Sequence, residues 1–167
     1  MVGENVRILC WLGHCIDHSL EPCETEKMRV KIVQRPSLNT DRNKPWLYCT
    51  TGMASYRFQG ISLPNCDIYH GKKMLGSVLH NILTIYRGYA FDGMTNWPDS
   101  AVNLPCALLH DFLYQTALVD RDQADEALRA CMETNGAGWR RTVWLGVRLF
   151  GWIHFADEVD KIRIIRQ

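Results

Sequence analysis

The stretch "CALLHDFLYQTALVDRDQADEAL", residues 106–128, decides the fold. Together with Pro105 it predicts a helix from about Pro105 to Ala117, with proline in the first turn and Asn103 or Leu104 at the cap. Asp120 followed three residues on by Gln123 is a capping-box pattern and opens a second helix. Ala124, Ala127, Leu128 and Cys131 give that helix its apolar stripe. Only two or three residues are left between them, so the helices pack as an antiparallel hairpin. "NGAG" (135–138) stops the second helix. "WRRTVWLGVRLFGWIHF" (139–155) then reads as a third helix, apolar on most faces, which covers the hairpin.

The flanks of this unit read differently. "VRILCWL" (6–12), "MRVKIVQ" (28–34), "PWLYCTT" (45–51) and "SYRFQGI" (55–61) have the length and alternation of strands. Residues 72–89 fit two templates. Met74, Leu75, Val78, Leu79 and Ile82 share one helical face, while Ile85-Tyr86 suits a strand. "FDGMTNWPDSAVN" (91–103) is a loop. The charged tail has strand character at "KIRIIR". The sum is an α+β fold: an N-terminal β-rich lobe with a C-terminal three-helix unit built on an antiparallel helical hairpin. It reads as a single domain, 1–167. Residues 1–70 form the β-rich lobe, 71–104 a helix or strand plus loop, 105–155 the helices, and 156–167 the tail.

The bulk numbers narrow the function classes. Apolar residues make up 47% of the chain and charged residues 22%, an ordinary globular composition. A net charge of +1 gives no general basis for nucleic-acid binding, which needs a concentrated basic surface. No apolar run approaches the ~18 residues of a spanning helix. The seven cysteines form an odd set and no signal peptide is apparent, so reduced thiols and folding in the cytosol are expected. There is no G-x-S-x-G, P-loop, dinucleotide fingerprint or His-Glu-x-x-His.

Three groups of residues bear on chemistry. His110 and Tyr114 are four apart and share a helix face, and Asp125 lies across the hairpin within reach of the imidazole. A carboxylate there would fix the ring tautomer and leave the other nitrogen to accept a proton. The same three groups could equally form a buried network that fixes how the hairpin packs. Asp111 points elsewhere, to a metal or a loop. The second group is Cys10, Cys15, His18 and Cys23, near a zinc-knuckle spacing but in a different order, with core cysteines and surface histidines as the plainer reading. The third is the helix over 139–155, where Trp139, Trp144 and Trp152 accompany Arg140, Arg141 and Arg148. It suits a helix that covers the hairpin, a protein interface, or contact with a membrane surface.

"HDFLY" followed by "ADEAL" resembles the phospholipase A2 superfamily, especially its short bacterial members. The resemblance covers roughly 25 residues. It implies His110 as general base, Tyr114 and Asp125 as its hydrogen-bonding supports, and Asp111 as a calcium ligand. "RGYAFDGMTN" (87–96), with Asp92, stands where the calcium loop would be, but lacks that family's dense glycines and flanking disulfides. A wider resemblance, over residues 87–152, is to a family of uncharacterised tailed-bacteriophage proteins. It rests on the Asp-Gly loop, the His-Asp-x-x-Tyr helix, the Ala-Asp helix and the "VRLFGW" segment. This implies a virion-associated structural protein, folded in the host cytoplasm, binding other phage structural proteins and needing no cofactor. The alternative is a phospholipase A2-like hydrolase that uses the His110–Asp125 pair with calcium. A third reading is a zinc-containing adaptor.

Overall fold

A computed structural model of the chain describes residues 7–11, 30–33, 47–94, 100, 102–151, 155 and 161–167. The strands are β1 (Arg7–Trp11), β2 (Val30–Val33), β3 (Leu47–Thr50), β4 (Ala54–Gln59), β5 (Cys66–His70), β6 (Lys73–Leu79), β7 (Ile82–Ile85), β8 (Ala90–Phe91) and β9 (Ile162–Arg166). Three helices, α1 (Leu104–Thr116), α2 (Arg121–Thr134) and α3 (Arg140–Phe150), stand between β8 and β9. The fold is α+β, with a β-rich N-terminal region and three C-terminal helices, as the sequence predicts.

The strands form two antiparallel sheets, one of six strands in the order β1-β4-β7-β6-β5-β9 and one of three in the order β2-β3-β8. In β4 the pleat buries Ala54, Tyr56 and Phe58 and leaves Arg57 and Gln59 exposed. The tail does become a strand. It runs back along β5, setting Cys66 opposite Arg166 and His70 opposite Ile162, so the last residues of the chain complete the sheet's edge.

Residues 72–89 are not helical. They form β6 and β7, joined through His80 and Asn81, both at positive φ (50° and 63°). A two-residue turn of this kind matches the twist of a hairpin. Asn81 secures it: its side-chain oxygen accepts from the Leu63 amide at 2.7 Å, and its side-chain nitrogen donates to the Ile61 carbonyl at 2.8 Å. The helical reading failed because it placed Leu79 on a buried face, whereas Leu79 is 51% exposed at the end of its strand. The turn signal was the His-Asn pair, weaker than the Asn-Gly pairs that mark such hairpins most clearly.

The helix boundaries follow local chemistry. Asn103 is the α1 cap and Pro105 lies in its first turn. At α2 the capping box forms in full: the Asp120 carboxylate accepts from the Gln123 amide at 2.8 Å, and the Gln123 side chain accepts from the Asp120 amide at 3.3 Å. Asp120→Ala is expected to cost about 1 kcal/mol, read as a lowered denaturation midpoint with an unchanged slope. Helix α3 runs to Phe150 with Gly151 as its cap; residues 152–154 of the expected span, Trp152 among them, lie outside the described residues.

Helix α1 is the centre of the molecule. It is apolar nearly all round and most of its residues are buried, Phe112 among them at 0% exposure. The Tyr56 hydroxyl donates to the Pro105 carbonyl at 2.8 Å and so fixes the start of α1 over β4. Gly76 in β6 makes room for the helix. A Cβ there would lie 2.5 Å from the Thr84 carbonyl oxygen and 3.1 Å from the Phe112 ring. His110, Tyr114 and Thr116 on α1 are therefore buried, while Asp111 and Gln115 are half-buried.

Candidate active site

Helix α1 presents His110 and Tyr114 one turn apart, and α2 brings Asp125 to meet them. His110 Nε2 lies 3.1 Å from Asp125 Oδ1, and the Tyr114 hydroxyl donates to the same oxygen at 2.5 Å. The imidazole and phenol rings lie 4.0 Å apart between centroids. The three residues that the sequence placed together are thus in direct contact.

Charge is distributed in a definite way. Burial pushes the Asp125 carboxyl up, but hydrogen bonds from His110 and Tyr114 and the neighbouring charges outweigh it and hold the group below its ordinary value. Asp125 is therefore a carboxylate. Tyr114 is driven well above its usual range, first by burial and then by Asp125, so its hydroxyl keeps its proton and donates. An ionised acceptor at Oδ1 assigns the imidazole proton to Nε2 in the neutral ring and leaves a lone pair on Nδ1. Nδ1 makes no hydrogen bond among the described residues.

The second carboxylate oxygen is less well served. Asp125 is fully buried, and its Oδ2 accepts no hydrogen bond among the described residues. Arg121 Nε at 3.7 Å and Arg148 Nη1 at 3.6 Å face it as charges only. These arginines tie α3 to α2. Arg121 donates to the Arg148 carbonyl, and Arg148 donates to Asp122. The end of α3 then meets the site directly. A Cβ on Gly151 would collide with the Tyr114 hydroxyl, so only glycine lets the chain pass there. The Phe155 ring stands edge-on to Tyr114 at 5.2 Å. Arg121, Gly151 and Phe155 were not singled out from sequence. Arg121 could have been, since it precedes Asp125 by four residues on one helix.

Asp111 faces the other way, toward the loop after β8, where its Oδ2 accepts the Asp92 backbone N–H at 3.3 Å. Tyr89 and Phe91 flank this loop. Tyr89 packs edge-on against Phe112 at 5.1 Å, which anchors the loop to α1. Asp92 and Asp111 are thus neighbours, as a calcium site would require. Calcium takes six to eight oxygens. Two carboxylates, one already holding an N–H, fall well short of that, and no group of three or more His, Cys, Asp or Glu suited to a metal occurs among the described residues. Backbone carbonyls and waters would have to complete a calcium shell around Asp92 and Asp111. Of the zinc candidates, Cys10 lies in β1 opposite Tyr56, while Cys15, His18 and Cys23 are outside the described residues. Cys49, Cys66, Cys106 and Cys131 are not in disulfides.

The fold and site define a class: a sheet-backed helical hairpin carrying a buried His–Asp–Tyr array. Residues 95–147 are similar to a family described as a protein of unknown function, DUF1353. The similarity covers less than half of the chain, but it includes His110, Tyr114, Arg121 and Asp125. No curated protein and no solved structure matches the chain.

Proposed function

We propose that the chain is a phospholipase A2-like hydrolase in which His110, oriented by Asp125, activates water against a carboxylic ester. The observation that carries this reading is the uneven satisfaction of the network. His110 Nε2 is pinned to a buried carboxylate, while Nδ1 has no partner among the described residues. A network serving only as a packing lock gains most when every member is paired, and a site for proton transfer keeps one nitrogen open. In the reaction, Nδ1 takes a proton from water as its oxygen bonds to the ester carbonyl carbon. The tetrahedral intermediate then collapses, the C–O ester bond breaks, and the proton passes from His110 to the departing alkoxide. Asp125 stabilises the imidazolium formed in between, and Tyr114 holds Asp125 in place.

The test is release of fatty acid from phospholipids of several head groups, with calcium and with chelator. Wild-type protein is expected to hydrolyse at least one of them, and His110→Ala to lose about 10²–10⁴-fold in rate. Wild-type protein inactive on all head groups in calcium would overturn the proposal.

A second reading has its own support. His110 is only 8% exposed, which suits a packing lock in a virion-associated structural protein. Mass spectrometry of gradient-purified particles separates the two. A fixed copy number on a symmetric lattice favours the particle component, and absence from particles removes it.

A further inference from the structure

We propose that the outer face of α3 and the groove between α3 and α2 form a docking surface for an anionic phospholipid membrane. This goes beyond the hydrolase reading and stands without it. Its basis is the combination of unpaired cations and exposed apolar side chains on one short helix.

The groove is lined by Arg129, Glu133, Arg140, Arg141, Trp144 and Leu145. Arg129 is committed to Glu126 at 2.8 Å and to Glu133 at 3.4 Å. Arg140 and Arg141 make no ion pair or hydrogen bond among the described residues. They occupy the first turn of α3, which holds no acidic residue. Backbone N–H groups already make that end of a helix positive, so two cations there are unfavourable until an anion arrives. The indole Nε1 of Trp144, buried in the same groove, has no acceptor among the described residues. A phosphate diester in the groove would supply acceptors for both arginines.

The apolar half of the argument lies beside it. Trp139 is 66% exposed, Leu145 51% and Leu149 57%. Water gains nothing from these groups, while a lipid interface takes apolar side chains at the acyl boundary and arginine at head-group depth. The opposite side of α3 is spent within the molecule, with Val143 buried; Arg148, on the side of Arg141, is already held by Asp122. No helix among the described residues is long and apolar enough to cross a membrane, so α3 would lie along the surface. A nucleic acid is disfavoured because its phosphates call for an extended run of cations, and this face offers two unpaired ones.

The full chain is sedimented with vesicles of ether-linked phosphatidylcholine, with and without ether-linked phosphatidylglycerol. Ether lipids cannot be hydrolysed at an ester, so binding is read apart from any reaction. Binding is expected to need the anionic lipid, to fall with salt, and to weaken roughly 30-fold in Arg140→Ala/Arg141→Ala, as removal of two interfacial arginines implies. Leu149→Ser should weaken it independently. Melting curves check that each variant is folded. Equal binding to both vesicles, or an arginine variant that binds like wild type, would overturn the proposal. So would retention on immobilised polyglutamate with no vesicle binding, which would assign the face to an acidic protein. Vesicle binding without hydrolysis of ester lipids would sink the hydrolase reading while supporting the docking surface.

Discussion

Asp125→Ala is expected to destabilise the protein by about 3–5 kcal/mol, one of the two largest effects we predict. The carboxylate is fully buried and accepts from two side chains at one oxygen. Removing it leaves the buried Tyr114 hydroxyl and the His110 Nε2–H without their acceptor, and leaves Arg121 Nε facing no charge. Asp125→Asn keeps the shape and one acceptor, so it should cost less. It also isolates the charge. The folded-state carboxyl titrates below its ordinary value of 3.8. Its stabilisation is therefore complete above that value and disappears as pH falls through the lower, folded-state value. Denaturation curves of wild type and Asp125→Asn should differ most at neutral pH and converge in acid below about pH 4. A constant difference across that range would mean that the carboxylate charge contributes nothing.

Phe112→Ala should cost about 3–5 kcal/mol, and its consequences should reach further than stability. The ring is fully buried, and it meets Tyr89 at 5.1 Å and the backbone at Gly76. It therefore joins α1 to the larger sheet on one side and to the β8 segment on the other. Its neighbours in sequence are His110, Asp111 and Tyr114. A cavity here should loosen the contact between Asp111 and the Asp92 amide as well as the packing of the helix that carries His110. Urea denaturation gives the stability loss, and hydrogen exchange at the Asp92 amide gives the local effect. Global destabilisation with unchanged exchange at Asp92 would show that the loop is held by β8 alone.

The candidate site was half legible. The spacing of His110, Tyr114 and Asp125 is a local matter: helix period sets the first pair, and a short hairpin with two strong caps sets the third. None of these depends on the rest of the chain. Arg148 and Gly151 are different. Their roles come from α3 crossing the end of the hairpin, with Arg148 clasped to Asp122 and Gly151 passing close to the Tyr114 hydroxyl. Nothing in the residues before or after Gly151 announces that a phenol will stand against it. The hairpin at 80–81 is an intermediate case. The turn residues were in view, but an apolar segment of this length satisfies a helical stripe and a strand pair equally well until a partner sheet exists.

By itself the sequence determined the α+β class, the helical hairpin with its caps, and the meeting of His110, Tyr114 and Asp125, because propensity, capping and periodicity act over a few residues. Only the tertiary structure decided the order of the six strands, the return of β9 to β5, the choice of strand over helix at 72–89, and the arginine clasp that brings α3 over Asp125. Each of these joins residues far apart in the chain, and contacts of that kind are selected by which surfaces bury each other well, a property of the assembled core and not of any local stretch.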